Sequence, residues 1–496
     1  MTRADYPSPP HLLPELRRLR APEFRPRPRP GNAVPGRLAF LSAHPEYGLT
    51  ARLDELRAEE YAHLDADGHV YLDYAGAGLP TRAQSVRHAE RLRAVRVGSV
   101  GRGASPSHAD LIEQARSAVL RHFGASPEEY TVVFTAGATE ACRLVGECYR
   151  FDPGGRFVHL LDGHQAVNSI RGFARAKGAE VRTVGLAGPE LRGDEARLRA
   201  LLERPAARPR LRRAHGGAGG RAGLFAYPAQ SNFTGVRHPL EWVGLAHERG
   251  FDVLLDAAAS VSSRRLDLGA VAPDFVAVSW YKVFGPPAGL GSLVARRAAL
   301  ARLERPLAGV CEEDVPGPAA LQGLLEGLRL LDEVDVDTVD LRVRCLTDRL
   351  LERLTSARHA TGMPLVRVYG PDGAEGRGGI VTFNLLDPSG AVVDERIVAR
   401  DAAAQRISLR VGDFHNPGAA AAAFALDRDR LSARPAPAMV VDEVLDRLGP
   451  SPARAVRVST GIVSDLTDVS RFVEFAVDTY LDRFPDRGGL LSRPGP

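Results

Sequence analysis

Asp256 and Lys282 stand at the ends of two short apolar runs. Phe251 to Leu255 leads into Asp256, and DFVAVS (274–279) delivers Lys282 just past its end, ahead of a Gly/Pro-rich turn. Runs of this length and apolarity fit fully buried parallel strands. Ligands of open α/β sheets sit beyond the carboxyl ends of such strands. An acid and an amine delivered there match the needs of pyridoxal 5'-phosphate. The carboxylate keeps the pyridine nitrogen protonated so that the ring takes up electrons, and the lysine forms the Schiff base. Either residue alone reads as a cap or a solvated loop lysine. Together, with Ala257, Ala258 and Ala259 after the acid and Ser279 before the lysine, they favour the cofactor.

That chemistry also asks for a phosphate cradle, a group to stack on the ring and a clamp for a substrate carboxylate. TVVFTAGATEACRLVGECY (131–149) reads as a strand, a glycine turn and a helix opening at Ala138 and Thr139. The N–H groups of a helix N-terminus, with the Thr139 hydroxyl, form an anion site; a well-capped βα turn is the plainer alternative. FVHLLDGHQAVNSIRGFARAKGAEV (157–181) offers His164 as the ring-stacking group, or as a helix cap. LFAYPAQSNFTGVRHPL (224–240) ends a strand near Gln230, Ser231 and Asn232. An amide at Asn232 can bond a ring hydroxyl, although QSNFTG is also turn-forming. RISLRVGDFHNPGAA (406–420) carries Arg410 at a strand end before a Gly/Asn/Pro loop. Guanidinium is the natural bidentate clamp for a carboxylate, and a surface ion pair is the ordinary alternative.

The elements around these residues alternate strand and helix through the first two thirds of the chain, with a smaller α+β unit after it. This predicts an α/β fold: a large domain with a mostly parallel central sheet, plus a small α+β domain. Residues 1–50, rich in Pro and Arg, read as an extended arm laid over a partner subunit. Residues 51–95 form a segment packing with the small domain, 96–305 the large cofactor-binding domain, 306–485 the small domain and 486–496 a tail. A helix is expected over 53–63, a strand over 70–80 that breaks at Gly76 and Gly78, and a flexible surface insert over 203–223. The last helix is expected near 469–481.

With 496 residues, 44% hydrophobic and 25% charged, the composition is that of an ordinary globular protein. The near balance of 65 basic and 61 acidic residues gives no nucleic-acid or membrane surface. Cys142, Cys148, Cys311 and Cys345 have neither disulfide-framework nor zinc-ligand spacing, so no metal is expected. No apolar run is long enough to span a bilayer and no signal-peptide core is present, which makes a reduced cytoplasm the expectation.

YLDYAGAGLP, FTAGATEACRLVGE, FAYPAQSNFTG, LLDAAASV, PDFVAVSWYKVFGPPAGLG, LRVGDFHNPGAA and VRVSTGIVSDLTDVSRFVEF occur in the order seen in molybdenum cofactor sulfurases. The chain resembles the aminotransferase-class-V, cysteine-desulfurase-like region of that family over roughly 65–480. The resemblance implies a fold-type-I pyridoxal-phosphate enzyme. It makes Lys282 the Schiff-base lysine, Asp256 the pyridinium partner, His164 the stacking residue and Asn232 the ring-hydroxyl contact. Thr139 and Ser279, with Ala138, become phosphate ligands, and Arg410 the substrate-carboxylate clamp. It also implies a homodimer with sites near the subunit interface.

Three departures from the family pattern alter the expected chemistry. The loop after the arginine, approximately G-C-F-C-N-x-G-A-C in the family, supplies the sulfur-accepting cysteine; here 412–420 reads GDFHNPGAA. A Gly-Gly-Gly-Thr stretch toward the neighbouring cofactor phosphate is replaced by GVCEEDVPG (309–317). The β-barrel domain of full-length sulfurases is not expected, since the chain ends soon after its last helix. Neither Asp413 nor His415 can form a persulfide. The expected activity is therefore lyase, aminotransferase or related chemistry on a small-molecule amino acid, through a substrate Schiff base and a Cα carbanion, of the kind used in specialised metabolism. In it His415 serves as an additional acid or base and Asp413 attracts a cationic substrate group. The alternatives are sulfur transfer through another thiol, Cys311, and a cofactor-binding scaffold without catalysis.

Overall fold

The computed structural model describes residues 36–94, 106–203, 221–285, 290–304, 316–424, 454–485 and 488. Its frame is a seven-stranded sheet of Tyr130–Thr135 (β1), Arg156–Leu160 (β2), Glu180–Val184 (β3), Gly223–Pro228 (β4), Phe251–Asp256 (β5), Phe275–Ser279 (β6) and Gly291–Arg296 (β7). The order across the sheet is β1-β7-β6-β5-β4-β2-β3. All pairs are parallel except the two made by β7, which runs against β1 and β6. Strands β2, β4, β5 and β6 are buried at every residue. Their near-continuous Val, Leu, Phe and Ala content is what a sheet covered on both faces requires.

Helices close both faces. Pro106–His122 (α1) packs on one side with Pro318–Val334 (α4). Ala138–Cys148 (α2) and Gln165–Ala176 (α3) pack against each other on the other. Helix α2 buries Ala138, Ala141, Cys142, Val145 and Cys148 on one stripe, the spacing of an amphipathic helix lying on a sheet.

A second, four-stranded antiparallel sheet comprises Val366–Tyr369 (β8), Ile380–Leu385 (β9), Arg410–Gly412 (β10) and Ala455–Ser459 (β11), in the order β8-β9-β11-β10. Helices Val336–Ser356 (α5) and Leu466–Tyr480 (α7) supply its apolar cover. The N-terminal segment joins this unit: Val70–Tyr71 pairs in parallel with Ile407–Ser408, and Phe40, Tyr47, Val70 and Leu72 enter its core.

Several expectations are corrected. The arm was expected to be extended through residue 50, but Arg37–Ala43 is an α-helix and Pro45–Thr50 a 3-10 helix. Phe40 and Tyr47 anchor them, with ring centroids 5.0 Å apart. The single helix over 53–63 is two, Arg52–Glu60 and Ala62–Ala66, because Tyr61 turns inward and is fully buried. The strand expected over 70–80 is confined to Val70–Tyr71. Beyond it the AGAG stretch folds against the Lys282 turn: Gly78 N–H bonds the Tyr281 carbonyl at 2.9 Å. A Cβ on Gly78 would lie 2.5 Å from the Val283 carbonyl oxygen, and one on Gly76 would run into the Arg410 guanidinium. Residues 1–35, most of the 203–223 insert (204–220) and Cys311 with most of its loop lie outside the described residues.

Candidate active site

The carboxyl ends of β5 and β6 deliver the acid and the amine. Asp256 is the last residue of β5; Ser279 is the last of β6 and leads into Tyr281–Phe284, a single helical turn that carries Lys282. Trp280 fixes this turn from beneath. It is fully buried, donates its indole N–H to Ser292 Oγ at 2.8 Å and stacks on Phe284 at 5.9 Å between ring centroids. Gly285 ends the turn with φ 71° and ψ −152°, a conformation open to glycine.

One cavity gathers Ala138, Thr139, His164, Asn232, Asp256, Ser279 and Lys282. A second, of about 730 Å³, shares His164, Asn232, Tyr281 and Lys282 with it and extends past Arg410, Asp413, His415 and Arg457. The sequence candidates thus converge on one place.

The start of α2, with Ala138 and Thr139, forms one end of the cavity. Gly137 precedes it without a side-chain cap, and Ala138 N–H donates to Ser279 Oγ at 2.9 Å. The turn is compressed from behind, since a Cβ on Gly291 of β7 would collide with the Gly137 backbone. Its opening therefore faces the cavity, where uncapped N–H groups favour an anion.

Burial lowers the affinity of Lys282 for its proton; Asp256 opposes this, and Arg457 and Arg410 reinforce it. Burial likewise raises the Asp256 carboxyl, with Lys282 and the Ala258 N–H (3.0 Å from Oδ1) opposing. An acid held in such surroundings is costly unless it faces a cation, and a protonated pyridine nitrogen is such a cation. His164 caps α3 by accepting the Ala166 N–H on Nδ1 at 3.1 Å. Burial, Lys282, His415 and Arg457 push its pKa down to about 3, so it presents a neutral ring. Acid, amine, anion cradle and neutral aromatic face together fit pyridoxal 5'-phosphate.

Three placements differ from expectation or were not anticipated. Asn232 lines the cavity, but its amide is already engaged: Nδ2 donates to the Phe414 carbonyl at 2.8 Å and Oδ1 accepts from Asn416 Nδ2 at 2.9 Å. Arg410 is half exposed, and its fork lies on Asp73, with Nε and NH2 3.0 and 2.6 Å from Oδ2. Arg457, on β11, is buried in the same cavity. Its NH1 bonds the Asn232 carbonyl at 2.9 Å, its NH2 lies 3.5 Å from Asp73 and its Nε has no hydrogen-bond partner. The signal for Arg457 was present in AVRVSTG, but one arginine in an alternating strand reads as solvent-facing. Asp73, the hub of both arginines, was hidden in the same way within YLDYAGAG.

The 412–418 loop is fastened to the large sheet. Asn416 Nδ2 bonds Asp162 Oδ1 at 2.7 Å, and the Gln165 N–H bonds the His415 carbonyl at 2.8 Å. Asp162 is fully buried and also receives Ser231 Oγ at 2.8 Å and His238 Nε2 at 3.1 Å. Phe414 and His415 have φ of 57° and 55°, consecutive left-handed residues without glycine. Such conformations persist where the surroundings over-determine them, most often at functional sites. They place the His415 ring 5.7 Å from that of His164. Asp413 caps the bend by accepting the His415 N–H at 3.1 Å.

Fold and site define a fold-type-I pyridoxal-phosphate enzyme of the α/β class. The aminotransferase class-V family model matches residues 70–472, and the chain belongs to that family. It is 31% identical over 474 residues to the molybdenum cofactor sulfurase of Homo sapiens, covering 86% of this chain and 51% of that protein. Molybdenum cofactor sulfurase 2 of Culex quinquefasciatus is 32% identical, with 89% and 60% covered. The chain thus spans between half and two thirds of the length of these relatives. Among solved structures, the Escherichia coli cysteine desulfurase CsdA superposes with a TM-score of 0.64 at 22% identity, covering 86% of this chain and 97% of that one. A cysteine desulfurase from Thermococcus onnurineus NA1 gives 0.65 at 20% identity, with 85% and 96% covered. Membership of the class-V family makes this chain a pyridoxal-phosphate-dependent enzyme. Among the described residues, no helix is long and apolar enough to cross a membrane.

Proposed function

We propose that this enzyme acts on a free α-amino acid and transforms it at Cα without forming a protein persulfide. The observation that carries this reading is the 413–418 loop. It is anchored to the large sheet through Asn416, Asn232 and the His415 carbonyl, and it presents His415 rather than a thiol to the cavity. A persulfide enzyme needs a thiolate that reaches substrate sulfur. The described cysteines, Cys142, Cys148 and Cys345, are all buried, and none lines this cavity.

Pyridoxal phosphate, when bound, supplies an electron-accepting ring that takes up charge developed at Cα. Lys282 would hold it covalently and Asp256 would pair with its ring nitrogen. Ala138, Thr139 and Ser279 would hold its phosphate, and His164 would lie on its ring. Lys282 Nζ, when not bonded to the cofactor, would be the base for the substrate's Cα proton. Its lowered proton affinity keeps a useful neutral fraction available. Arg457, buried in the cavity wall, is the better clamp for the substrate carboxylate, and Arg410 is a secondary contact restrained by Asp73. His415 is placed to move a proton on the substrate's side chain. A homodimer with its sites near the subunit interface is part of the same reading.

The test is to incubate purified protein with a panel of amino acids, following the visible spectrum and the release of keto acid, ammonia and sulfide. Spectral change with keto acid or ammonia, and no persulfide by mass spectrometry after incubation with cysteine, is the expected result. The similarity to molybdenum cofactor sulfurases over most of the chain favours one second reading, sulfur transfer through Cys311. A persulfide on Cys311, lost with turnover in Cys311→Ser, would establish it.

A further inference from the structure

Where the N-terminal segment meets helix α5, three side chains with metal-ligating atoms come together, with a fourth, Asp348, against one of them. His44 closes the helix Arg37–Ala43, and Glu46 is the second residue of the 3-10 turn that follows. Cys345 and Asp348 lie one turn apart on α5 and face them. Cys345 Sγ is 3.6 Å from Glu46 Oε1, and His44 Nε2 is 3.7 Å from Asp348 Oδ2. One ligand atom each from His44, Glu46 and Cys345 lies within 4.8 Å of the other two.

These separations suit a tetrahedral ion. With Zn–S of about 2.3 Å and Zn–O of about 2.1 Å, a thiolate and a carboxylate oxygen on one zinc stand roughly 3.6 Å apart. That is the Cys345–Glu46 distance observed. An imidazole nitrogen belongs roughly 3.4–3.6 Å from each of them, and the His44 ligand atom lies within 4.8 Å of both. A thiol–carboxylate hydrogen bond accounts for Cys345 and Glu46 alone; it gives no reason for an imidazole to stand beside the pair. Both carboxylates and the thiol gain from a cation there. The mixture of one sulfur, one nitrogen and oxygen donors matches zinc rather than magnesium or calcium, which take oxygen alone. A cavity of about 440 Å³ reaches His44, Glu46 and Asp348, with Glu375, Arg237 and Arg344 also on its wall and Cys345 behind it, and leaves room for a water ligand on the His44–Glu46 side.

We propose that His44, Glu46 and Cys345 form a zinc site, with Asp348 supporting His44, that fastens the N-terminal segment to helix α5. Binding displaces the Cys345 thiol proton to solvent and forms a Zn–S bond without any change of oxidation state. The ligands come from sequence positions 299 apart, which is why cysteine and histidine spacing gives no hint of them. The site lies outside the pyridoxal-phosphate cavity and its function is structural.

The full-length holoenzyme, cleared of metal by a chelator, is titrated with Zn2+ and, separately, with Co2+. The expected results are about one zinc per chain by elemental analysis, and a thiolate-to-cobalt charge-transfer band in the near ultraviolet. A rise in melting temperature on adding zinc is also expected. Cys345→Ser should abolish the charge-transfer band, and Glu46→Gln and His44→Gln should each weaken zinc at least tenfold while leaving the pyridoxal-phosphate absorbance unchanged. The two latter positions are partly exposed, so these variants remain informative if Cys345→Ser fails to fold. A cobalt spectrum without the sulfur band, or equal zinc affinity in Glu46→Gln and wild type, overturns the proposal.

Discussion

Removing the Arg457 guanidinium should separate substrate capture from cofactor binding. Arg457 is only 4% exposed, and its Nε has no hydrogen-bond partner among the described residues. A carboxylate arriving there meets a desolvated fork, and truncating one partner of such a pair costs on the order of 2–4 kcal/mol. At about 1.4 kcal/mol per decade, that is roughly a 30- to 900-fold loss in kcat/KM. Arg410 is half exposed and already paired with Asp73, so the exposed-pair range of about 0–1 kcal/mol applies, roughly fivefold at most. The assay compares kcat/KM for the amino acid found active in the panel with that for the amine lacking its carboxylate. Arg457→Gln should lose the preference for the amino acid; Arg457→Lys should recover little of it, because a point charge does not reproduce the fork. Cofactor absorbance and melting temperature serve as controls, since Arg457 also holds the Asn232 carbonyl. The reasoning fails if Arg410→Gln costs as much as Arg457→Gln, or if Arg457→Gln still discriminates between acid and amine.

Borohydride should fix the cofactor to Lys282, and Lys282→Ala should abolish the internal chromophore; an unchanged spectrum would overturn the cofactor assignment. Asp256→Asn should retain cofactor but slow turnover by at least tenfold, measured as keto acid or ammonia release. Stability should fall on acidification because two half-buried histidines resist protonation. Burial pushes His122 to about 4, and burial with nearby cations pushes His164 to about 3. Both lie below the unfolded value near 6.5, so the unfolded chain binds more protons and stability is lost as pH falls from 6.5 toward 4. Between pH 7 and 5 each contributes roughly 1–2 kcal/mol, which makes the melting temperature fall; His122→Gln should flatten that slope. Asn416→Ala removes the link from the 412–418 loop to Asp162, and should raise hydrogen exchange at 413–418 before it alters cofactor absorbance.

The large sheet was legible because its strands are short apolar runs with their chemistry at the ends. Asp256, Ser279, Ala138 and Thr139 stand where strand ends and a helix start were read from the sequence. Lys282 was read just past a strand end, and there YKVF forms one helical turn with Trp280 packed beneath it. The small sheet was less legible at the site. Its contribution depends on Arg410, Arg457 and Asp73, which come from three distant segments, and no local pattern says which arginine is paired and which is free. Asn232 shows the same limit from the other side. Its position was readable, but its amide is shared with a loop 182 residues away.

The pairing of Val70–Tyr71 with Ile407–Ser408 has a consequence for how the chain is made. Asp73 and Arg410, beside that pairing, are 337 residues apart. At a synthesis rate of about 5–20 residues per second, the N-terminal segment leaves the ribosome roughly 20–70 seconds before its partner strand exists. The large sheet is complete at Arg296, so it can form during this wait. Throughout it, Phe40, Tyr47, Val70 and Leu72 have no core to enter, because the core they join is built from residues after 340. Chains truncated before the small sheet should therefore be chaperone-bound or insoluble, even though they contain every cofactor-holding residue.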